Sequence, residues 1–268
     1  MNVANHRRLA ITWPGESNTP ANWIDKVRSR DFLELAVVFT LIMVALWTPN
    51  PVRSVAGCVA LVLIVLTSLC SGQHTAALGI RLAGLRQSLW VVCVALAGAA
   101  IAVVIGWRMH TLHPLLRGLP AWWGFWAYMF WALLQQFILQ DFFLLRLLRL
   151  LPSKKTAIAT AALLFAVVHI PNPLLIVLTL LWGATACVLF LRYRNLYTLG
   201  LAHGLLGLCL AIAVPNPIHH QMRVGVGYFR WNAQEKPVHR SQINQIVSTE
   251  AWVMAEANSR RRSLHARP

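Results

Sequence analysis

Trp131-Ala-Leu-Leu-Gln135-Gln136-Phe-Ile-Leu-Gln140-Asp141-Phe-Phe-Leu-Leu-Arg146 lies late in an apolar run that begins near Gly118 and carries no charge before Asp141. A run of that length reads as a helix crossing the hydrocarbon of a bilayer. Polar side chains at membrane depth are costly, so they usually face a bundle interior and mark a site. At helical spacing Gln136 and Gln140 lie four apart on one face, with Gln135 one step round. Taken alone, three such amides read as glue that hydrogen-bonds one helix to its neighbours. A functional reading needs partners from elsewhere in the chain.

The composition agrees with a membrane setting. Of 268 residues, 57% are hydrophobic and 12% charged, and the mean hydropathy is +0.58. Soluble domains carry about 25% charged residues. The first 31 residues are polar, bear both signs of charge and show no signal-peptide core. The net charge of +16 lies in tails and loops. In a polytopic protein that marks topology and contact with anionic lipid, not nucleic acid. Cys58, Cys70, Cys93, Cys187 and Cys209 sit in apolar runs without C-x-x-C spacing, so they read as small buried hydrophobes.

Seven apolar spans follow one another: Phe32–Trp47, 54–71, 88–107, 122–151, 156–170, 174–191 and 197–214. The fold class is therefore all-α, a polytopic bundle of about seven transmembrane helices. Ser29-Arg30-Asp31 supplies a weak cap signal before Phe32. The fourth span opens with Trp122, Trp123, Trp126 and Tyr128, aromatics of the kind found at headgroup level. On this count the N-terminal tail, the 72–87 loop and the turns at 146–155 and 192–194 share one side with 13 Lys and Arg. The opposite short loops hold three, Arg53, Arg108 and Arg117, which predicts a cytoplasmic N-terminus. The C-terminal tail would lie outside, yet it carries eight more basic residues, Arg260-Arg261-Arg262 among them. The chain divides into a basic tail (1–31), three N-terminal helices (32–117), a helical core (118–215) and a polar basic tail (216–268).

Two imidazoles join the amides. Phe165-Ala-Val-Val-His169 ends the fifth span before Pro171, and Gly200-Leu-Ala-His203-Gly-Leu-Leu-Gly207 lies in the seventh. A lone histidine on an apolar face is more often a hydrogen-bonded core residue; two beside three glutamines need a shared reason. Measured from the basic turns at 1.5 Å per residue, Gln135 lies about 16 Å deep, His169 about 21 Å and His203 about 14 Å. All three fall near the middle of a layer about 30 Å thick, so one pocket is predicted to hold them.

In order and spacing, Gln135-Gln136-x-x-x-Gln140, Phe165-x-x-x-His169 and His203-x-x-x-Gly207 resemble the CPBP family. That family includes the type II CAAX prenyl protease and the bacterial Abi-type proteins. Its pattern is Glu-Glu-x-x-x-Arg, then Phe-x-x-x-His, then His-x-x-x-Asn or Asp. Gly183 and the basic turn 192–197 are similar too, and the likeness covers about residues 118 to 215. It implies an intramembrane endopeptidase acting on a membrane-associated or lipidated peptide, in contact with membrane lipids, in a bacterial inner membrane. It also implies site roles for Gln135, Gln136, Gln140, His169 and His203. In the family the first glutamate activates the attacking water, while histidines and asparagine hold the oxyanion.

The departures fall on those positions: glutamine for both glutamates, Gln140 for the arginine and Gly207 for the asparagine. An amide oxygen accepts hydrogen bonds but is not a general base. Exchanging the Glu–Arg pair for two amides keeps hydrogen bonds and removes buried charge. Three readings stay open: hydrolysis with His169 or His203 as base, a catalytically silent relative that binds a membrane peptide, and a solute path lined by the midplane polar groups. Asp141 is read as pairing with Arg146 or reaching the interface. A metal site of His169, His203 and Asp141 lacks an H-E-x-x-H helix, and no metal or cofactor is expected. His110, His113, His219 and His220 read as surface residues.

Overall fold

The computed structural model describes residues 21–70, 79, 80, 82, 84–113 and 121–230. The basic residues Arg7, Arg8, Arg81 and Arg117 and the tail beyond 230 lie outside that set. Helices run α1 (Ala21–Trp47), α2 (Val52–Cys70), α3 (Leu85–Arg108), α4 (Ala121–Phe137), α5 (Leu145–Leu150), α6 (Lys154–Val167), α7 (Pro173–Tyr193) and α8 (Leu196–Ala213). A short α9 (Asn216–His219) follows. No strand occurs among the described residues. The expected helical membrane bundle is what the chain forms.

Among the described residues five stretches are long and apolar enough to cross a membrane: α2, α3, Trp122–Leu150, α7 and α8. The other two expected spans fall short for different reasons. In α1 an apolar stretch of 16 residues follows a charged N-terminal half, and α6 has only 14 residues. At 1.5 Å per residue α6 is about 21 Å long, less than the hydrocarbon layer. The bundle's outer surface is apolar, as at Leu66, Val94, Trp126 and Leu181, each more than half exposed. In water such a surface would drive association; in lipid it is solvated. Cys58, Cys70 and Cys93 lie on this surface, against the expectation of burial, whereas Cys187 and Cys209 are buried.

Between α4 and α5 the chain forms a π-helix over Ile138–Leu144, which periodicity did not reveal. Such segments add a residue to the turn and occur often at functional sites. The far end of this long helix is fastened to α1. Arg149 donates twice to Asp31 (2.6 and 2.7 Å), and Arg146 pairs with Glu34 at 2.7 Å. Arg146 also stacks over the Phe142 ring at 4.0 Å. Because α1 starts at Ala21, Asp31 is an interior ion-pair partner and not part of a cap.

At the opposite end the first part of the C-terminal segment folds back. Gly225 N donates to Ile170 O (2.8 Å), Asn172 Nδ2 donates to His219 O (2.8 Å), and Phe229 meets Trp47 at 6.3 Å. His219 is buried and not a surface residue. Its Nε2 donates to Ala211 O (3.3 Å) while its Nδ1 accepts from Gln221 N (3.0 Å).

Candidate active site

The centre of the bundle is set by how closely α8 approaches α4. A Cβ built on Gly200 would lie 3.0 Å from Leu133 Cα, and one on Gly204 would lie 2.5 Å from Met129 Sδ. At Gly207 a Cβ would run into the Tyr128 hydroxyl, with Tyr128 Cζ at 2.9 Å. Small residues every three or four positions let two membrane helices pack backbone to side chain. His203 rides on this strip and so comes within reach of α4.

There it meets the glutamines. Gln140 Nε2 donates to Gln136 Oε1 (3.2 Å), and Gln136 Nε2 donates to His203 Nδ1 (3.0 Å). Gln136 and Gln140 are fully buried. With its oxygen engaged by Gln140, Gln136 must offer its nitrogen to the imidazole. That network assigns the neutral His203 proton to Nε2.

His169 carries the opposite tautomer. It sits just past α6, and its Nδ1 donates to Phe165 O at 2.7 Å. A carbonyl can only accept, so Nδ1 holds the proton and Nε2 keeps its lone pair. The Phe165 ring stands edge-on between the two imidazoles, 5.1 Å from His169 and 5.9 Å from His203. Gly183 makes room for that ring: a Cβ there would lie 3.2 Å from Phe165 Cδ1. Trp182 closes over His203 at 6.0 Å.

Gln135, His169 and His203 all line one cavity of about 950 Å³. Its remaining walls are largely apolar and come mainly from α1, α2, α3, α4, the π-helix, α6, α7 and α8. Gln136 and Gln140 do not line it; they stand behind His203 and hold it. Two buried polar atoms on lining residues make no hydrogen bond, Gln135 Oε1 and Trp182 Nε1. No Asp, Glu, Lys or Arg is among the described lining residues. The site is thus a set of neutral donors and acceptors in an apolar chamber, suited to polar groups such as amides and water but without a carboxylate to ionise.

Asp141 departs from its expected place. It is buried in the π-helix with neither oxygen hydrogen-bonded, does not line the cavity, and does not pair with Arg146, which Glu34 takes instead. Among the described residues no group of three or more His, Cys, Asp or Glu is placed to hold a metal ion. Tyr128 and Trp182 were missed as lining residues. Seven positions before Gln135, Tyr128 shares its helix face, a signal hidden among the interfacial tryptophans.

The segment 117–209 matches a family model described as Type II CAAX prenyl endopeptidase Rce1-like. This is the stretch that holds all five residues singled out in the sequence. No curated protein and no solved structure matches the chain.

Proposed function

We propose that this integral membrane protein, whose residues 117–209 match the type II CAAX prenyl endopeptidase Rce1-like family model, is an intramembrane endopeptidase whose base is His169. The observation that carries the reading is that both imidazoles line one cavity while their Nδ1 atoms are engaged elsewhere, His169 by Phe165 O and His203 by Gln136; this assigns a lone pair to His169 Nε2 and an N–H to His203 Nε2. A membrane-associated peptide enters the chamber with its scissile carbonyl directed at His203. Water attacks the carbonyl carbon as His169 Nε2 takes its proton. The oxyanion accepts the Nε2–H of His203, with the Gln135 amide beside it. Collapse breaks the C–N bond, and His169 returns the proton to the leaving amine. The products are a carboxyl terminus and a free amine.

The amides Gln136 and Gln140 act through His203, fixing which nitrogen carries its proton. The ion pairs between α1 and α5 support placing the two on one side of the membrane, and the excess of basic residues in the turns on that side makes it the cytoplasmic one; a bacterial inner membrane follows from the family resemblance alone. Helices within 32–117 serve as a wall around the 118–215 core.

A second reading is favoured by one observation: the described residues lining the cavity include no carboxylate. On that reading the chain captures a membrane peptide without cleaving it. One experiment separates the two. Purified protein in nanodiscs is incubated with a fluorogenic peptide bearing one hexadecyl chain on cysteine. Hydrolysis lost in His169→Ala with peptide binding retained supports the protease. Binding without product from the unmodified chain, at any pH from 6 to 9, refutes it and leaves the capture reading.

A further inference from the structure

We propose that the Tyr128 hydroxyl is a third hydrogen-bond donor of the site, directed at the same developing charge as His203, and that Gly207 is glycine to admit it. This rests on the reading of the cavity as a peptide-hydrolysing site. Four observations carry it. Tyr128 lines the cavity together with Gln135, His203 and Gly207. It lies two helical turns before Gln135 on one face of α4, and Gly207 lies one turn beyond His203 on one face of α8. The hydroxyl occupies the place where a side chain at position 207 would begin. Finally, the half-buried Tyr128 hydroxyl forms no hydrogen bond with the described residues, which leaves its O–H available to the cavity.

The chemistry follows from this placement. A phenol is neutral and apolar along its ring, so it fits a chamber without charge while offering one O–H. That O–H needs an acceptor, and a bound peptide carbonyl supplies one. As the carbonyl becomes an oxyanion its hydrogen bonds strengthen, so the donor acts chiefly in the transition state. Donors at His203 Nε2 and Tyr128 Oη, on opposite helices, would then hold the oxygen from two sides. No bond is made to the tyrosine and no proton leaves it.

The test uses the full chain in nanodiscs, the hexadecyl peptide above and its phosphonamidate analogue, which imitates the tetrahedral oxyanion. Tyr128→Phe removes the hydroxyl and keeps the ring. It should lower kcat about 10²-fold with KM nearly unchanged. It should likewise weaken phosphonamidate binding about 10²-fold while leaving binding of the parent peptide within about threefold. Tyr128→Leu combined with Gly207→Asn, which also takes away the ring atoms within 3.0 Å of that Cβ, returns a donor from the other helix and should recover at least about tenfold of the activity lost in Tyr128→Leu alone. Gly207→Asn alone forces the tyrosine out and should be impaired.

Unchanged kcat in Tyr128→Phe overturns the inference. So does an equal loss of affinity for peptide and phosphonamidate, which would make Tyr128 a general packing residue. If the unmodified chain yields no product, the hydrolytic reading fails separately, and phosphonamidate binding still decides the role of Tyr128. Selective weakening by Tyr128→Phe supports the donor; equal binding by both proteins, or none by either, overturns it.

Discussion

Replacing Gln136 by leucine tests the link between the amide pair and the imidazole. The side chain is fully buried and makes two hydrogen bonds, accepting from Gln140 Nε2 at 3.2 Å and donating to His203 Nδ1 at 3.0 Å. Leucine fills nearly the same volume, so little cavity is created and the loss is polar. Side-chain hydrogen bonds inside lipid contribute about 0.6 to 2 kcal/mol each, so two of them give roughly 1 to 4 kcal/mol. The lower half of that range is expected, because an unpaired Gln140 finds other acceptors once the structure relaxes. The functional effect should be distinct from the stability effect. Without a donor at Nδ1, His203 is free to carry its proton on either nitrogen, and the fraction presenting Nε2–H to the cavity falls. Stability is read by SDS titration of the protein in mixed micelles. The tautomer is read from ¹⁵N chemical shifts of labelled histidine, and activity from the lipidated peptide assay. Gln136→Leu should lose about 1 to 2 kcal/mol, shift the His203 nitrogens towards tautomer averaging, and lower kcat more than it raises KM. A variant with unchanged histidine shifts and unchanged stability would refute the relay, whatever its activity.

Further outcomes follow from other contacts. Gly200→Val should separate α8 from α4 and cost about 1 to 3 kcal/mol by overpacking; since its Cβ alone would lie 3.0 Å from Leu133 Cα, a neutral effect on the SDS midpoint would contradict that packing. Glu34→Leu leaves Arg146, only 3% exposed, without its carboxylate. It should cost about 3 kcal/mol, the low end for a broken buried pair because Glu34 keeps some access to solvent. Restoration by Arg146→Met in the same chain would show that the unpaired cation is the cause. At the opposite end, burial pushes the His219 imidazole below its ordinary value. The unfolded chain therefore takes up the proton first, and stability present above about pH 6.5 should fall as the pH drops below it. His219→Gln should flatten that decline between pH 7 and 5; an identical slope in the variant would assign the pH dependence elsewhere.

The sequence by itself determined the class of this protein and singled out three of the polar residues around its central cavity. Long uncharged runs leave the backbone no way to satisfy its hydrogen bonds in lipid except as helices, so an all-helical bundle was legible from composition and run length. The cost of burying polar groups singled out Gln135, His169 and His203, which do line one cavity. The count of spans was less secure, because α6 is shorter than a bilayer and α1 joins a charged half to an apolar one. Only the tertiary structure decided which way each polar group faces. A helical wheel puts Gln135 and Gln136 one step apart, yet one faces the chamber and the other is enclosed behind His203, because α8 lies against the second face. Likewise the partner of Arg146 is Glu34, 112 residues away in the chain and not its neighbour Asp141. The place of the Tyr128 hydroxyl depends on a glycine on another helix, Gly207. Periodicity records what a residue shares with its own helix; which nitrogen of an imidazole holds a proton depends on the atom that the opposing helix presents.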